Sequence, residues 1–432
     1  MKLSRIGRVS MALVVSVAMG LGMTACGGGT IGFMWVLGTQ YNQIAAFKID
    51  DFTGNLTIPP GSPFTSGGTN PVSLVVKPGG RYLYVVNEGT ALTTDTKGGV
   101  TCPANGAGGG AIAEFAIGGQ GVLTFQQTFQ SQGCTPVWAA HDSTGNFLYV
   151  LDKYAPNTAC LSNGQPEASG NACNGEITVF SVDPNTGRLT LVLNQQVKVP
   201  TTQLQLTYFP VGPLPKMMAL SGSCLFTLNN DANQTVFPYS AGSNGQLVLT
   251  ANSTINTQTT HATSIIAGGT SVYITDTFSP TSPAGRILPF TVGGTACSLN
   301  TITGGPTDNL SPGANPVYTL VDSKSAYLYV ANQSSTNSTV ANSSVSAFKI
   351  QSNGTLLAIP EPSGLNPYPI GAGPVCMVED PSNQYLYTSN GDGTVSGKVL
   401  FAPTGQLSNL SRGSTFTAVG QATCLAVSGN VD

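Results

Sequence analysis

The chain contains only two histidines, His141 and His261. A neutral imidazole is the side chain best suited to take a proton from water near neutral pH. His261 opens the apolar run "HATSIIAGGT" (261–270), Asp276 closes "SVYITD" (271–276) and Arg286 opens "RILPFTVGGTACSL" (286–299). A base, a carboxylate and a guanidinium at the ends of three consecutive strands can meet at one edge of a sheet. There they could activate water against a carbonyl, orient the base and hold an anion. Asp152, Lys153 and Lys216 add a second carboxylate and two further cations for a ligand, and Asn87, Asn332 and Asn390 add amides. His141 lies beside the short turn "DSTGN" (142–146), which places it at the opposite end of its strand and makes it structural.

Other chemistries find no support. There is no GxSxG serine elbow, HExxH helix or phosphate loop, and "DANQTVFPYS" lacks EF-hand spacing. The cysteines contain no CxxC pair, which with two histidines argues against zinc. No metal and no cofactor are expected, and the ligands of a quinoprotein-type dehydrogenase are missing.

The elements that must position these residues are repeats. "YLYVVN" (82–87) returns as "FLYVLD" (147–152), "CLFTLN" (224–229), "SVYITD" (271–276), "YLYVAN" (327–332) and "YLYTSN" (385–390), with "FMWVLG" (33–38) a seventh copy. An inner strand precedes six of them, as in "NPVSLVVKPGG" (70–80), "TPVWAAHDSTGN" (135–146), "LPKMMALSGS" (214–223) and "NPVYTLVDSKSA" (315–326). A third strand and a glycine turn follow each, as in "ITVFSVDPNTGRL" (177–189) and "VSAFKIQSNGTL" (345–356). Near-continuous β-branched and aromatic residues suit strands buried on both faces, and no helical period separates them.

Repeated four-strand units with a long period predict an all-β, seven-bladed β-propeller. The copy at 33–38 lacks an inner strand, whereas "GQATCLAVSG" (420–429) is an inner strand without partners. The C-terminal strand should therefore complete the first blade and remove the open edges. With strands named A to D from the axis outward, the long insertions all fall on the face that carries the B–C and D–A loops. The Asn or Asp that ends six of the seven B strands, with Gly38 in the first, should circle that face and cap its own turn.

Residues 1–25 resemble a signal peptide, with Lys2, Arg5 and Arg8 ahead of the apolar "MALVVSVAMGLGM" (11–23). "GMTACGGG" (22–29) resembles a lipoprotein processing site, with Cys26 the lipidated residue, 26–32 a short tether and 33–429 the propeller. The expected location is the periplasm or cell surface, held to the membrane only through the lipid. Removing 1–25 takes three cations and no acid, so the formal charge of −3 becomes −6. That balance argues against nucleic acid as a partner. A monomer is expected.

Export permits disulfides among the eight cysteines other than Cys26. Cys160 with Cys173 brackets one loop. Cys376 and Cys424 hold the same place in neighbouring inner strands and could join the last blade to the closing strand. Cys102 with Cys134 and Cys224 with Cys297 remain after those pairs are made.

The units at 71–87, 136–152 with 176–189, and 316–332 with 345–356 resemble the lactonase-like propeller family, which includes 6-phosphogluconolactonases and carboxymuconate-lactonising enzymes. The resemblance covers nearly all of residues 31–429. It implies metal-independent hydrolysis of a sugar-acid lactone or related cyclic ester. On that resemblance His261 is the water-activating base, Asp276 its orienting group and Arg286 an anion clamp. The chain beyond residue 25 carries four arginines (81, 188, 286 and 412), few for a phosphosugar pocket. The alternative is a non-catalytic envelope propeller whose Asn-, Ser- and Thr-rich face binds a glycan or an envelope protein.

Overall fold

The computed structural model describes residues 29–90, 92, 100–102, 110–156, 159–160, 173–198, 203–250, 255–256, 261–277, 285–302, 307–308, 314–334, 343–359 and 367–429. They form seven antiparallel blades around one axis. The A, B and C strands run as follows. Blade one is Ala422–Gly429, Thr30–Gly38 and Gln43–Asp50; blade two is Pro71–Val76, Tyr82–Asn87 and Ala111–Ile117. Blade three is Cys134–His141, Phe147–Tyr154 and Asn174–Val182; blade four is Pro215–Ser221, Cys224–Asn229 and Thr235–Ala241. Blade five is Ala262–Gly268, Ser271–Asp276 and Arg286–Gly293; blade six is Ala314–Val321, Tyr327–Ser334 and Ser344–Ile350. Blade seven is Pro374–Glu379, Tyr385–Asn390 and Thr394–Phe401.

The expected closure is present: Ala422–Gly429 pairs with Thr30–Gly38, Met34 lying opposite Val427. The first B strand starts earlier than expected, so residues 30–32 belong to the blade and not to a tether. Gly32 pairs with both Ile49 and Gly429, because the flanking strands present main-chain groups that need partners there. The leader and Cys26 lie outside the described residues. In six blades the outermost position is shared by two short segments. In blade three Leu189–Leu191 and Phe209–Pro213 both pair with Asn174–Val182.

The repeated aromatic–x–aromatic signature has a direct cause. The third residue of each B-strand motif (Trp35, Tyr84, Tyr149, Phe226, Tyr273, Tyr329 and Tyr387) is buried. Five of these seven hydrogen-bond a carbonyl in the C–D turn of the next blade. Trp35 Nε1 donates to Gly121 O at 3.1 Å, Tyr273 to Gly354 O at 3.1 Å, Tyr329 to Gly405 O at 3.0 Å and Tyr387 to Gly54 O at 2.6 Å, and Tyr84 donates to Gly187 O. The accepting glycines have positive φ, for example 73° at Gly405. The first residue of the motif packs on the same turn: a Cβ at Gly405 would lie 2.4 Å from Tyr327 Cδ1, and one at Gly54 2.3 Å from Tyr385 Cδ1. Glycine is required there by both backbone and neighbour. In three blades an aspartate in the A–B turn fixes the start of the B strand, as Asp322 Oδ1 accepts Tyr327 N–H at 2.7 Å.

Blade four breaks the pattern because Phe226 has no hydroxyl. There Cys224 takes the first motif position and is bonded to Cys297, which occupies the positive-φ turn site (φ 50°) of blade five. Cys376–Cys424 joins blade seven to the closing strand with Cα atoms 5.0 Å apart, close enough for a direct bridge between neighbouring inner strands. Cys102–Cys134 ties the B–C loop of blade two to the inner strand of blade three. Each of these three bridges crosses a blade boundary. Cys173 is also disulfide-bonded, while the side chain of Cys160 is outside the described set.

Removing one buried donor leaves its acceptor dry, at a cost of about 1–3 kcal/mol. Tyr329→Phe is expected to lower the thermal midpoint under non-reducing conditions. Gly405→Ala is expected to lower it further, because it adds positive-φ strain to the clash with Tyr327. Midpoints equal to wild type for both would contradict this account of the repeat.

Candidate functional site

Strand pairing brings residues 262, 276 and 286 into line across blade five, Ala262 opposite Asp276 and Asp276 opposite Arg286. Asp276 is fully buried. Its Oδ1 accepts the backbone N–H of His261 at 3.0 Å, and its Oδ2 lies 3.6 Å from Arg286 Nε. Thr277 N–H donates to His261 O at 3.2 Å. The main chain of residue 261 is thus held from both sides, and the His261 side chain is exposed at the long-loop end of the inner strand. Asp276, expected to orient the imidazole, holds the main chain of His261 through Oδ1. An unpaired buried carboxylate is costly, so its oxygens go to the nearest donors.

Lys216 joins this group through a feature of every blade. Each A strand carries Pro or Ala, at or near its start, opposite the residue that ends the B-strand motif: Pro71 with Asn87, Pro136 with Asp152, Pro215 with Asn229, Ala262 with Asp276, Pro316 with Asn332, Pro374 with Asn390 and Ala422 with Gly38. The pairing then slips by one residue. Proline has no N–H for the ladder, and a bulge at this point re-aims one side chain. The bulged residues are Val72, Val137, Lys216, Thr263, Val317, Val375 and Thr423, all half-buried.

The polar members reach the carbonyl that starts the next blade. Thr263 donates to Pro316 O at 2.8 Å and Thr423 to Pro71 O at 3.2 Å; Lys216 Nζ donates to Ala262 O and lies 3.4 Å from Gln234 Oε1. Burial pushes the Lys216 ammonium down to about 8, against the opposing pull of Asp276 and Asp231. The cation therefore sits beside the Asp276–Arg286 pair and against the first residue of His261's strand.

The other candidates separate from this cluster. Asn87, Asn332, Asn390 and Asp152 are fully buried, which corrects the expectation that they face a ligand. Nor do they cap their own turns. Asn87 donates to Ser66 O at 3.2 Å, Asn332 to Ser346 Oγ at 2.9 Å and Asn390 to Ser396 Oγ at 3.0 Å. They hold the chain entering the blade or the neighbouring C strand. Lys153 lies at blades two and three, its ammonium 5.4 Å from the centre of the Tyr154 ring. His141 is structural as expected: Nδ1 bonds Phe147 O at 3.1 Å, the ring packs 5.3 Å from Tyr84, and burial pushes its pKa down to about 4. Among the described residues no group of three His, Cys, Asp or Glu gathers as metal ligands.

The sequence matches no protein-family model and no curated protein. Among solved structures, the chain is similar to a periplasmic gluconolactonase of Pseudomonas aeruginosa, with 17% identity and a TM-score of 0.64 over 93% of this chain and 100% of the other. The shared feature is the propeller. A protein from Lactobacillus plantarum matches equally well in shape (14% identity, TM-score 0.64, 92% and 99% covered). A functionally unknown protein from Desulfotomaculum acetoxidans follows (11% identity, TM-score 0.55, 90% and 99% covered). At these identities the likeness shows the fold.

The sequence reading missed one constellation. Asp152 pairs in register with Glu176, and both are fully buried. Asp152 Oδ1 accepts Ser131 Oγ–H at 2.7 Å, and Glu176 Oε1 accepts Gly133 N–H and Thr178 Oγ–H at 2.8 Å each. The remaining oxygens, Asp152 Oδ2 and Glu176 Oε2, are buried with no hydrogen-bond partner of normal geometry. Two carboxylates buried side by side cannot both ionise without a large cost, so the pair is expected to hold one proton between them. Burial raises Asp152 to about 6, and burial together with the Asp152 charge raises Glu176 well above the ordinary range. The available signal was an acid in each of two strands that the repeat pairs.

A carboxyl that holds its proton more tightly when folded stabilises at low pH, and that contribution is lost as pH rises. The loss begins above about 4.3, the unfolded value for glutamate, and continues past about 6. Glu176→Gln keeps the Gly133 and Thr178 contacts and supplies an N–H toward Asp152. It is expected to flatten the decline of the thermal midpoint between pH 5 and 8. Superimposable wild-type and variant profiles would contradict the shared proton.

Proposed function

We propose that this protein is a lactonase, hydrolysing a sugar-acid lactone or related cyclic ester at the long-loop mouth of blades four and five. The observations that carry the reading are that exposed His261 is held through its main chain by the Asp276–Arg286 pair and that Lys216 bonds the carbonyl of the next residue, Ala262. In this reading the His261 imidazole takes a proton from water as the oxygen bonds to the lactone carbonyl carbon. The oxyanion that forms lies against the Lys216 ammonium, a charge already desolvated and so more effective than one in water. Collapse breaks the acyl–oxygen ring bond, and the imidazolium returns its proton to the leaving ring oxygen. One lactone and one water give one hydroxy acid. Asp276 contributes by position, fixing the main chain of residue 261 and the guanidinium of Arg286. The fold likeness to a periplasmic gluconolactonase supports the reading without fixing the substrate.

The test is proton release from a panel of phosphorylated and unphosphorylated lactones, using protein lacking residues 1–26. His261→Ala is expected to reduce turnover by about 10²–10⁴-fold, and Lys216→Met by about 10²–10³-fold. Folded wild-type protein inert across the panel would overturn the lactonase reading and leave the non-catalytic propeller in its place.

A further inference from the structure

The bulge ring makes the mouth of the axis chemically uneven. The seven inner strands contact one another in a closed circle, so their bulged residues surround the axis at one end. Four of the seven are valines: Val72, Val137, Val317 and Val375. Thr263 and Thr423 spend their hydroxyls on Pro316 O and Pro71 O, which leaves their methyl groups as the remaining side-chain surface. Lys216 is the one ionisable member.

Directly after two of these bulges stand Trp138 and Tyr318. They belong to blades three and six, which are not neighbours, yet their ring centres are 6.4 Å apart. That contact must cross the axis. Both are half-buried. The equivalent residues in four other blades, Ser73, Ser264, Cys376 and Cys424, are small and buried, and in the remaining blade Met217 turns its sulfur to the N–H of Ile265 at 3.3 Å. Among the described residues the axis is therefore floored by aromatic surface, ringed by valine and threonine, and charged at one point.

The geometry points to a cup at the long-loop end of the axis that takes a small monoanion with a hydrocarbon body. The anionic oxygen rests on Lys216 Nζ and the body on the valines and the Trp138–Tyr318 floor. A polyol would lose water from its hydroxyls without gaining partners among these ring side chains, whereas an alkyl or aryl body gains by leaving water. Resting on the lactonase reading, and choosing within it the related cyclic ester over the sugar-acid lactone, the substrate class is a lactone bearing a hydrocarbon substituent. Its single oxyanion, and then its product carboxylate, matches the single ammonium.

Binding without turnover tests the cup separately from catalysis. Hexanoate, hexanamide and gluconate are titrated into the full mature protein by calorimetry and by tryptophan emission. Trp35 is buried with its Nε1 bonded to Gly121 O, so Trp138 is the responsive fluorophore. Hexanoate is expected to bind about tenfold or more tighter than either hexanamide or gluconate, the size of one charge-assisted hydrogen bond. Lys216→Val, which copies four other blades, is expected to bring hexanoate to the level of hexanamide. Trp138→Phe is expected to abolish the emission change while calorimetric binding persists. Gluconate binding as tightly as hexanoate, or an unchanged hexanoate affinity in Lys216→Val, would overturn the cup. Hexanoate binding with no lactone hydrolysed would instead overturn the lactonase reading alone.

Discussion

Every blade of this propeller grips the turn of the next, and the circle closes on itself. Phe33 packs on Gly121, Tyr82 on Gly187, Phe147 on Gly245, Ser271 on Gly354, Tyr327 on Gly405 and Tyr385 on Gly54, while Cys224 is bonded to Cys297 at the remaining boundary. A single blade has two hydrophobic faces and cannot bury both alone. The grip sets how closely neighbouring faces approach, and the hydroxyl-to-carbonyl bonds beneath it specify the alignment. Where the hydroxyl is missing, at Phe226, a covalent bond joins the same two elements. At the closure, where the chain's two ends meet, a hydrogen bond from Tyr387, a strand pairing and the Cys376–Cys424 bridge act together.

A rigid ring of this kind frees its inner edge for variation. The bulge recurs in all seven A strands, behind a proline in five and an alanine in two, yet the bulged residue makes no ladder bond and its identity is not dictated by the sheet. Six positions took small β-branched residues. One took lysine, in the blade next to His261, Asp276 and Arg286. The buried Asp276 is the hinge of that arrangement, because one carboxylate fixes the backbone of His261, pairs with the guanidinium and biases the lysine toward its charged form. The Asp152–Glu176 pair shows the opposite outcome of the same chemistry. There two buried acids pack side by side, accept hydrogen bonds from Ser131, Gly133 and Thr178, and become part of the scaffold.

Blade number, closure and strand position were legible because a period-long repeat constrains every copy at once. The half-blades at 33–38 and 420–429 made sense only together. The Cys376–Cys424 bridge followed from equivalent positions in neighbouring inner strands, whereas Cys102–Cys134 and Cys224–Cys297 were reached only as the remainder. The burial of Asn87, Asn332 and Asn390 was not legible. A polar residue at a strand end reads as exposed unless the loop it holds is known, and those loops differ between blades. The bulge was hidden for a related reason, since "NPV", "LPK" and "HAT" show a position but not a slip in register. Lys216 therefore read as a minor cation in the sequence, whereas the structure sets it at the centre of the cluster.

The central claim is that the ligand site lies at the axial mouth between blades four and five. A crystal structure with a lactam analogue, which resists hydrolysis, tests it most directly. The account predicts the lactam carbonyl oxygen within hydrogen-bonding distance of Lys216 Nζ, His261 facing the carbonyl carbon, and the ring substituent over Trp138. Density for the analogue on the opposite face, as in the cleft of about 320 Å³ lined by Asp142, Phe147 and Ser243, with the mouth empty would contradict it.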